Sequence, residues 1–157
     1  MSAGGAMAVR EARADDLAAV IGLLREDAIR EIDETAVPVA AYADAFAEIL
    51  ADAHQQLLVG EVDGELVATA QLSWLRRLSY VGGLMCVVES VRVRSDRRGA
   101  GLGRALMLHV ETLAVRRGAA RVELTTNAAR PRARSFYEGL GYRASHVGMK
   151  RYLGGVR

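Results

Sequence analysis

Residues 91–107 read VRVRSDRRGAGLGRALM, an alternating strand-like run followed by arginines and glycines and then by an apolar helix-like run. A helix that starts directly after a strand leaves its first N–H groups without intrahelical acceptors. Glycines at the corner let another molecule come close to those amides. Such a corner suits an anion, above all a phosphate. Two common phosphate motifs do not apply: the P-loop requires Gly-Lys-Ser/Thr, and the dinucleotide fingerprint requires glycines two and five positions after its first. Here Gly99, Gly101 and Gly103 form G-x-G-x-G. Taken alone, a glycine-rich turn also serves as a purely structural device.

Upstream of the corner, LMCVVESVRV (84–93) reads as a strand that follows the break at Gly82-Gly83. QLLVGEV (56–62) and ELVATAQLSWL (65–75) flank Asp63-Gly64, a pair that tolerates the positive φ angles of a tight hairpin. Before them lie two amphipathic stripes at helical spacing. The first, Leu17, Val20, Ile21, Leu24 and Ala28, starts after the cap-type residues Asp15 and Asp16. The second, Tyr42, Phe46, Ile49, Leu50 and Ala53, starts after Pro38. AVREA (8–12) reads as an opening strand. The acidic residues Glu26, Asp27, Glu31, Asp33 and Glu34 between the stripes suit a solvated helix end or a rim for a cationic ligand.

Downstream, Leu102, Leu106, Val110 and Leu113 share a helix face that ends at Gly118, with Arg116 and Arg117 well placed in the last turn. RVELTT (121–126) reads as a strand. Pro131 then starts a short helix carrying Ala133, Phe136, Tyr137 and Leu140 up to Gly141. Two final strands are expected near 142–146 and 148–153. The order β-α-α-β-β-β-α-β-α-β-β predicts an α/β (α+β) fold, a mixed sheet with helices packed on it. We expect a flexible N-terminal segment over 1–7 and a single domain over 8–157.

At 157 residues, 51% of them hydrophobic and 25% charged, the chain is long enough to bury one sizeable core. A formal net charge of only +2 gives weak support for nucleic-acid or membrane attraction. Patterned aromatics, the other signal of nucleic-acid binding, are missing too. Cys86 is the single cysteine, so neither an internal disulfide nor a cysteine-based metal cluster is expected, and a reducing cytoplasm fits. The start lacks an apolar leader, and no run of about twenty apolar residues offers a membrane span.

Read from Arg98, the corner becomes R-x-x-G-x-G directly after a strand ending VRV. In this it resembles the pyrophosphate loop of the GNAT N-acetyltransferases, a family that uses acetyl-CoA. "VREARADDL" (9–17) is similar to that family's opening strand and first helix, and "SFYEGLGYRAS" (135–145) to its last helix and following strand. The resemblance covers about residues 8–153. It implies a mostly antiparallel mixed central sheet of six or seven strands with about four helices. It also implies acetyl-CoA as co-substrate, no metal, a small-molecule or peptide amine as acceptor, and a homodimer as a common assembly. By the same resemblance, amides from Arg98 through Gly99, Ala100, Gly101 and Gly103 to Arg104 would hold the pyrophosphate. Arg97, Arg98 and Arg104 would supply charge, and main-chain groups of Val91 and Val93 would pair with the pantetheine arm. One departure stands out: many relatives place Asn seven residues before the tyrosine matching Tyr137, where this chain has Arg130, with Asn127 nearby.

Acetyl transfer to an amine needs the amine unprotonated, and a lysine-type amine of pKa about 10.4 is neutral only about once in 2,500 molecules at pH 7. Glu89 shares strand parity with Val87, Val91 and Val93. A regular strand would therefore project it among apolar side chains, where a carboxylate is a readier proton acceptor. With the family's habit of placing a glutamate on this strand, Glu89 is the candidate base, acting directly or through water; a bulge would instead turn it to solvent. By periodicity Tyr137 is a core aromatic, and by resemblance it is the general acid that protonates the leaving thiolate. Cys86 reads as a small buried thiol. His146, in the final hairpin, reads as a surface histidine or a substrate contact, and Trp74 and Tyr80 as core residues or an acceptor wall.

These observations imply direct acetyl transfer in a ternary complex. The alternative is a non-catalytic acyl-CoA-binding sensor or interaction module, which needs the glycine corner but not Glu89 and Tyr137.

Overall fold

The computed structural model describes residues 5–26 and 33–154. Asp27, Ala28 and Glu31 of the sequence reading lie outside them. The chain divides into two compact units, Met1–Leu124 and Thr125–Arg157, and each is described by itself.

The first unit is built on a five-stranded sheet in the order β1-β2-β3-β4-β5. β1 (Ala8–Glu11), β2 (Gln55–Val62), β3 (Glu65–Arg76) and β4 (Leu84–Val93) pair antiparallel in sequence. β5 (Ala119–Leu124) joins β4 in parallel, through the crossover helix α4 (Leu102–Arg116). Asp63, at φ 52, and Gly64, at φ 81, make the hairpin turn between β2 and β3. This mixed, mostly antiparallel sheet agrees with the reading of fold class.

Helices cover both faces. α1 (Leu17–Arg25) and α2 (Ala43–Ala51) bring Val20 and Phe46 onto Leu57 and Val59 of β2, with Leu17, Leu24 and Ile49 closing around them. The opposite face carries Leu58, Ala70, Leu72, Trp74, Cys86 and Val88, all buried, which cross-strand register places on one side. On it lies α4, which buries Leu106, Met107, Val110 and Ala114. Leu102 and Leu113 of the predicted stripe sit at its margins. Arg117, just past α4, lays its guanidinium over the Trp74 ring at 4.5 Å.

Asp16 does not cap α1 through the helix's own amides. Its carboxylate takes the Arg13 N–H at 2.7 Å and two hydrogen bonds from Arg10, at 2.7 and 3.2 Å, tying β1 to the start of α1. The Arg10 guanidinium is the main cause that holds the Asp16 carboxyl below its usual range.

The second unit holds α5 (Pro131–Gly139), started by its proline and closed at Gly141, whose φ is 94. Two counts from the sequence reading need correction. The runs 142–146 and 148–153, expected as the sixth and seventh strands, form no strand among the described residues. A strand exists only where a neighbour takes its main-chain groups, and a local stretch of sequence does not name that neighbour. Among the described residues there are five helices rather than four, because Ser79–Gly82 forms a short helical turn, α3. Four residues are too few to carry a helical period, and Tyr80 and Val81 within it are left-handed, at φ 57 and 58. β5 also starts earlier than predicted, since Ala119 pairs with Leu84 and alanine carries little strand signal. No helix among the described residues is long and apolar enough to cross a membrane.

α4 carries the glycine corner at its N-terminus, so its anchoring sets the corner's position. Leu106→Ala, at a fully buried position, is expected to lower the unfolding free energy by about 2–5 kcal/mol. Urea titration checks this; a loss below about 1 kcal/mol would show that α4 does not depend on that contact.

Candidate functional site

Thr69 pairs with Arg92 and Gln71 with Glu89, so β4 sets both Ser90 and Val91 against the single Ala70. This is a β-bulge, with Ser90 left-handed at φ 54. On its other edge β4 stays paired with β5 only as far as Val88 and Leu124. Among the described residues, Glu89 to Val93 therefore have a strand partner on one side alone. Arg92 faces Thr69 and the Arg94 N–H donates to the Val67 carbonyl at 2.8 Å, so Val93 between them turns its main-chain groups to the open edge. The Val93 carbonyl accepts from Arg98 Nε at 3.1 Å, and the Val91 carbonyl accepts from Arg92 at 2.8 Å.

After Val93 the chain makes one 3-10 turn, Ser95–Arg97, and then passes Gly99 at φ 81 and Gly101 at φ 78 into α4. The first bond into the helix runs from the Ala105 N–H to the Gly101 carbonyl at 3.0 Å. The amides of Gly99, Ala100, Gly101, Leu102, Gly103 and Arg104 have no backbone acceptor among the described residues. A Cβ built on Gly99 or on Gly101 would meet no atom within 4 Å. The space beside these two glycines is open, the helix dipole points its positive end to the corner, and a diphosphate fits this donor set.

The charge at the corner is more evenly matched than the arginine run suggests. Arg94 bonds Asp96 at 2.7 Å and Glu65 at 3.0 Å, and Arg97 lies 3.7 Å from Glu65. Glu26, at the end of α1, takes the Ser95 N–H at 2.7 Å and lies 3.8 Å from Arg98. Arg104 makes no ion pair among the described residues. Asp96 lies within residues 91–107, but nothing there signals Glu26 or Glu65, which are remote in sequence.

Glu89 is exposed, which corrects the expectation that it sits among apolar side chains. Its parity with Val87 holds, since Ser73 and Gln71 face the two of them, but Glu89 is the first residue past the last β5 pairing at Val88, and the bulge follows it at Ser90. By register Glu89 shares the face of Gln71, Thr69 and Val59, the face covered by α1 and α2. Glu89, Val91, Val93, Arg98 and the glycines through Arg104 thus form one continuous stretch of the first unit. Tyr137 belongs to the second unit, where it is half-buried in α5 with edge-on rings of Phe136 at 5.0 Å and Tyr142 at 5.9 Å.

Asn127 turns its side chain to its own loop, its carboxamide oxygen taking the Ala129 N–H at 2.9 Å. Arg130 begins α5, its N–H bonded to the Asn127 carbonyl at 2.9 Å. Both residues therefore shape the helix start. Trp74 is a core residue, buried, with its indole N–H on Gln56 at 3.0 Å. Tyr80 is exposed beneath the Arg121 guanidinium, 4.4 Å from the ring centroid. His146 is exposed, its Nδ1 2.8 Å from Ser145 Oγ. Among the described residues no group of three or more His, Cys, Asp or Glu side chains is arranged to hold a metal ion.

Comparison with known proteins matches residues 18–142 to the model of the acetyltransferase (GNAT) family. A Salmonella typhimurium (strain LT2) protein named aminoalkylphosphonate N-acetyltransferase is 30% identical over 138 residues, 88% of this chain and 86% of that protein. A crystal structure of a transcriptional regulator from Bacillus halodurans C-125 superposes with a TM-score of 0.87 at 35% identity, covering 94% of this chain and 100% of that one. Glucosamine-6-phosphate N-acetyltransferase from Arabidopsis thaliana gives a TM-score of 0.78 over 94% of this chain and 99% of that one. At 21% identity it is a likeness of fold.

The site strand also carries Cys86, fully buried on the α4 face. Desolvation pushes its thiol from 9.0 up to about 11, against a smaller opposing pull from Arg117. Thiolate is therefore scarce at neutral pH, and an acyl-carrying role has no chemical footing. A thiol-reactive disulfide reagent at pH 7.5 is expected to leave the native protein unlabelled and to label one thiol after denaturation. Rapid labelling of the native protein would contradict the burial.

Proposed function

The chain belongs to the acetyltransferase (GNAT) family, and on that footing we propose that it transfers an acetyl group directly from acetyl-CoA to a primary amine within a ternary complex. The single observation that carries this reading is the corner from Val93 to Arg104. There an open strand edge leads into unpartnered amides at the N-terminus of a long helix. The amides of Gly99 to Arg104 would hold the diphosphate, and the main-chain groups of Val91 and Val93 the amide-bearing arm. When bound, acetyl-CoA supplies the activated acyl carbon; the chain's own residues orient it and move the protons.

Glu89 is the base in this reading. Its contribution rests on position, immediately before the bulge in β4. A water held by its carboxylate takes the amine proton. Tyr137 Oη holds the proton that the departing sulfur needs. A phenol of pKa about 10 facing a thiol of pKa about 8.5 makes full donation slightly uphill, so Tyr137 assists as negative charge develops.

The acceptor is a small amine, and the aminoalkylphosphonate in the Salmonella relative's name is the first compound to try. Incubation with acetyl-CoA and an amine panel, following free thiol, is expected to show amine-dependent release. Acetyl-CoA binding without release against any amine would leave a binding module in place of this reading.

Gly101→Val places a branched side chain at a φ of 78 and over the open amides. It is expected to weaken acetyl-CoA binding at least tenfold by calorimetry, on the usual scale of one lost charged hydrogen bond; unchanged affinity in the folded variant would remove the diphosphate assignment. Tyr137→Phe is expected to lower kcat by roughly 10² to 10⁴ with little change in affinity or melting temperature. Glu89→Gln is expected to lower turnover most at low pH and to recover partly as the free amine population rises. Near-normal turnover at saturating substrates would return either residue to a packing or surface role.

A further inference from the structure

Three of the corner's arginines already have carboxylates, but the carboxylates differ in origin. Asp96 belongs to the loop itself and Glu65 to the neighbouring strand β3. Glu26 comes from just past the end of α1, where it is the helix's C-cap residue. Its Oε2 accepts the Ser95 N–H at 2.7 Å and stands 3.8 Å from Arg98 Nη2, while Arg98 Nε is held by the Val93 carbonyl at 3.1 Å. One oxygen thus contacts the first amide of the turn and the arginine that begins R-x-x-G-x-G. Satisfying the Ser95 N–H requires only an acceptor, which a neutral carboxamide oxygen also provides. The negative charge adds nothing needed there, and it faces the arginine that an incoming diphosphate must use.

We propose that Glu26 is an internal counter-anion of the cofactor corner, one that the diphosphate of acetyl-CoA displaces from Arg98, so that Glu26 sets cofactor affinity. The inference rests on the acetyl-CoA reading above. Before binding, Glu26 neutralises Arg98 and keeps the turn at Ser95 in place. On binding, Arg98 exchanges one anion for another, and the repulsion between the Glu26 carboxylate and the phosphates is what the complex must overcome. Cofactor occupancy and the end of α1 are coupled through this exchange, because α1 is the element that carries the displaced carboxylate.

The two parts of the Glu26 contact can be separated. Glu26→Gln keeps an oxygen for the Ser95 N–H and removes the charge. Calorimetry with acetyl-CoA at low ionic strength is expected to give a dissociation constant two- to fivefold lower than wild type, the scale of an exposed ion pair. The gain should shrink in 0.5 M salt, where the Debye length is only about 4 Å. Arg98→Gln supplies a readout that a merely structural Glu26 would not move. Its loss of affinity is expected to be larger in the Glu26→Gln background than in wild type, because Arg98 no longer gives up the Glu26 carboxylate when it binds phosphate. Melting temperatures of all four proteins confirm folding. Wild-type protein that does not bind acetyl-CoA overturns the cofactor reading and this inference with it. Wild-type binding that Glu26→Gln leaves unchanged or weakens overturns the role of Glu26 alone.

Discussion

Everything that distinguishes this site depends on one irregularity in β4. An extra residue at Ser90–Val91 faces Ala70, and beyond Val88 the strand has no parallel partner in β5. A regular ladder would have paired every main-chain group from Leu84 to Val93 on both edges and closed the sheet. The bulge holds Ser90 in a left-handed conformation that costs a non-glycine residue on the order of 1–2 kcal/mol. That strain persists because β3 grips the strand on both sides of it and because α1 and α4 pack against opposite faces. The open edge exists only inside this well-packed frame.

The corner itself shows how backbone and charge divide the task of recognising an anion. Positive φ at Gly99 and Gly101 brings the chain into α4 with its first amides turned to open space, and no side chain is needed for that. The arginines around it look like the principal attraction in the sequence. In the fold most of them are occupied: Arg94 and Arg97 by Asp96 and Glu65, and Arg98 by Glu26 and the Val93 carbonyl. Exposed pairs of this kind contribute little individually to stability. Their effect is to keep flexible side chains near the loop in defined directions, so that the fixed dipoles of the helix start act on a prepared surface.

The packing below the site is conventional by comparison, and that is why it was legible. The stripes Leu17–Leu24 and Leu102–Val110 found their places on the two faces of the sheet, because an apolar face at helical spacing has one favourable destination, the nearest apolar sheet face. The hairpin at Asp63-Gly64 and the helix stops at Gly118 and Gly141 followed from positive φ at those positions. Parity on β4 was a weaker guide. It assumed an unbroken pleat, and one inserted residue reverses the face of everything beyond it. Glu89 keeps the face of Val87 by register, yet it lies past the last β5 pairing at Val88 and is exposed, with no sign of it in the side chains of LMCVVESVRV.

By itself the sequence determined the order of elements, the glycine corner between a strand and a helix, the buried character of Cys86, and the family that those features resemble. These are local properties, carried by spacing and by residues whose backbone preferences are strong. Tertiary structure alone decided which edge of β4 stays open, that Glu89 faces solvent, that Trp74 lies under Arg117, and that a carboxylate from α1 reaches Ser95 and Arg98. Each of these joins residues far apart in the chain, and nothing in the local pattern of either partner encodes the other. The final runs after Tyr142 make the same point, since the two strands expected there do not form among the described residues.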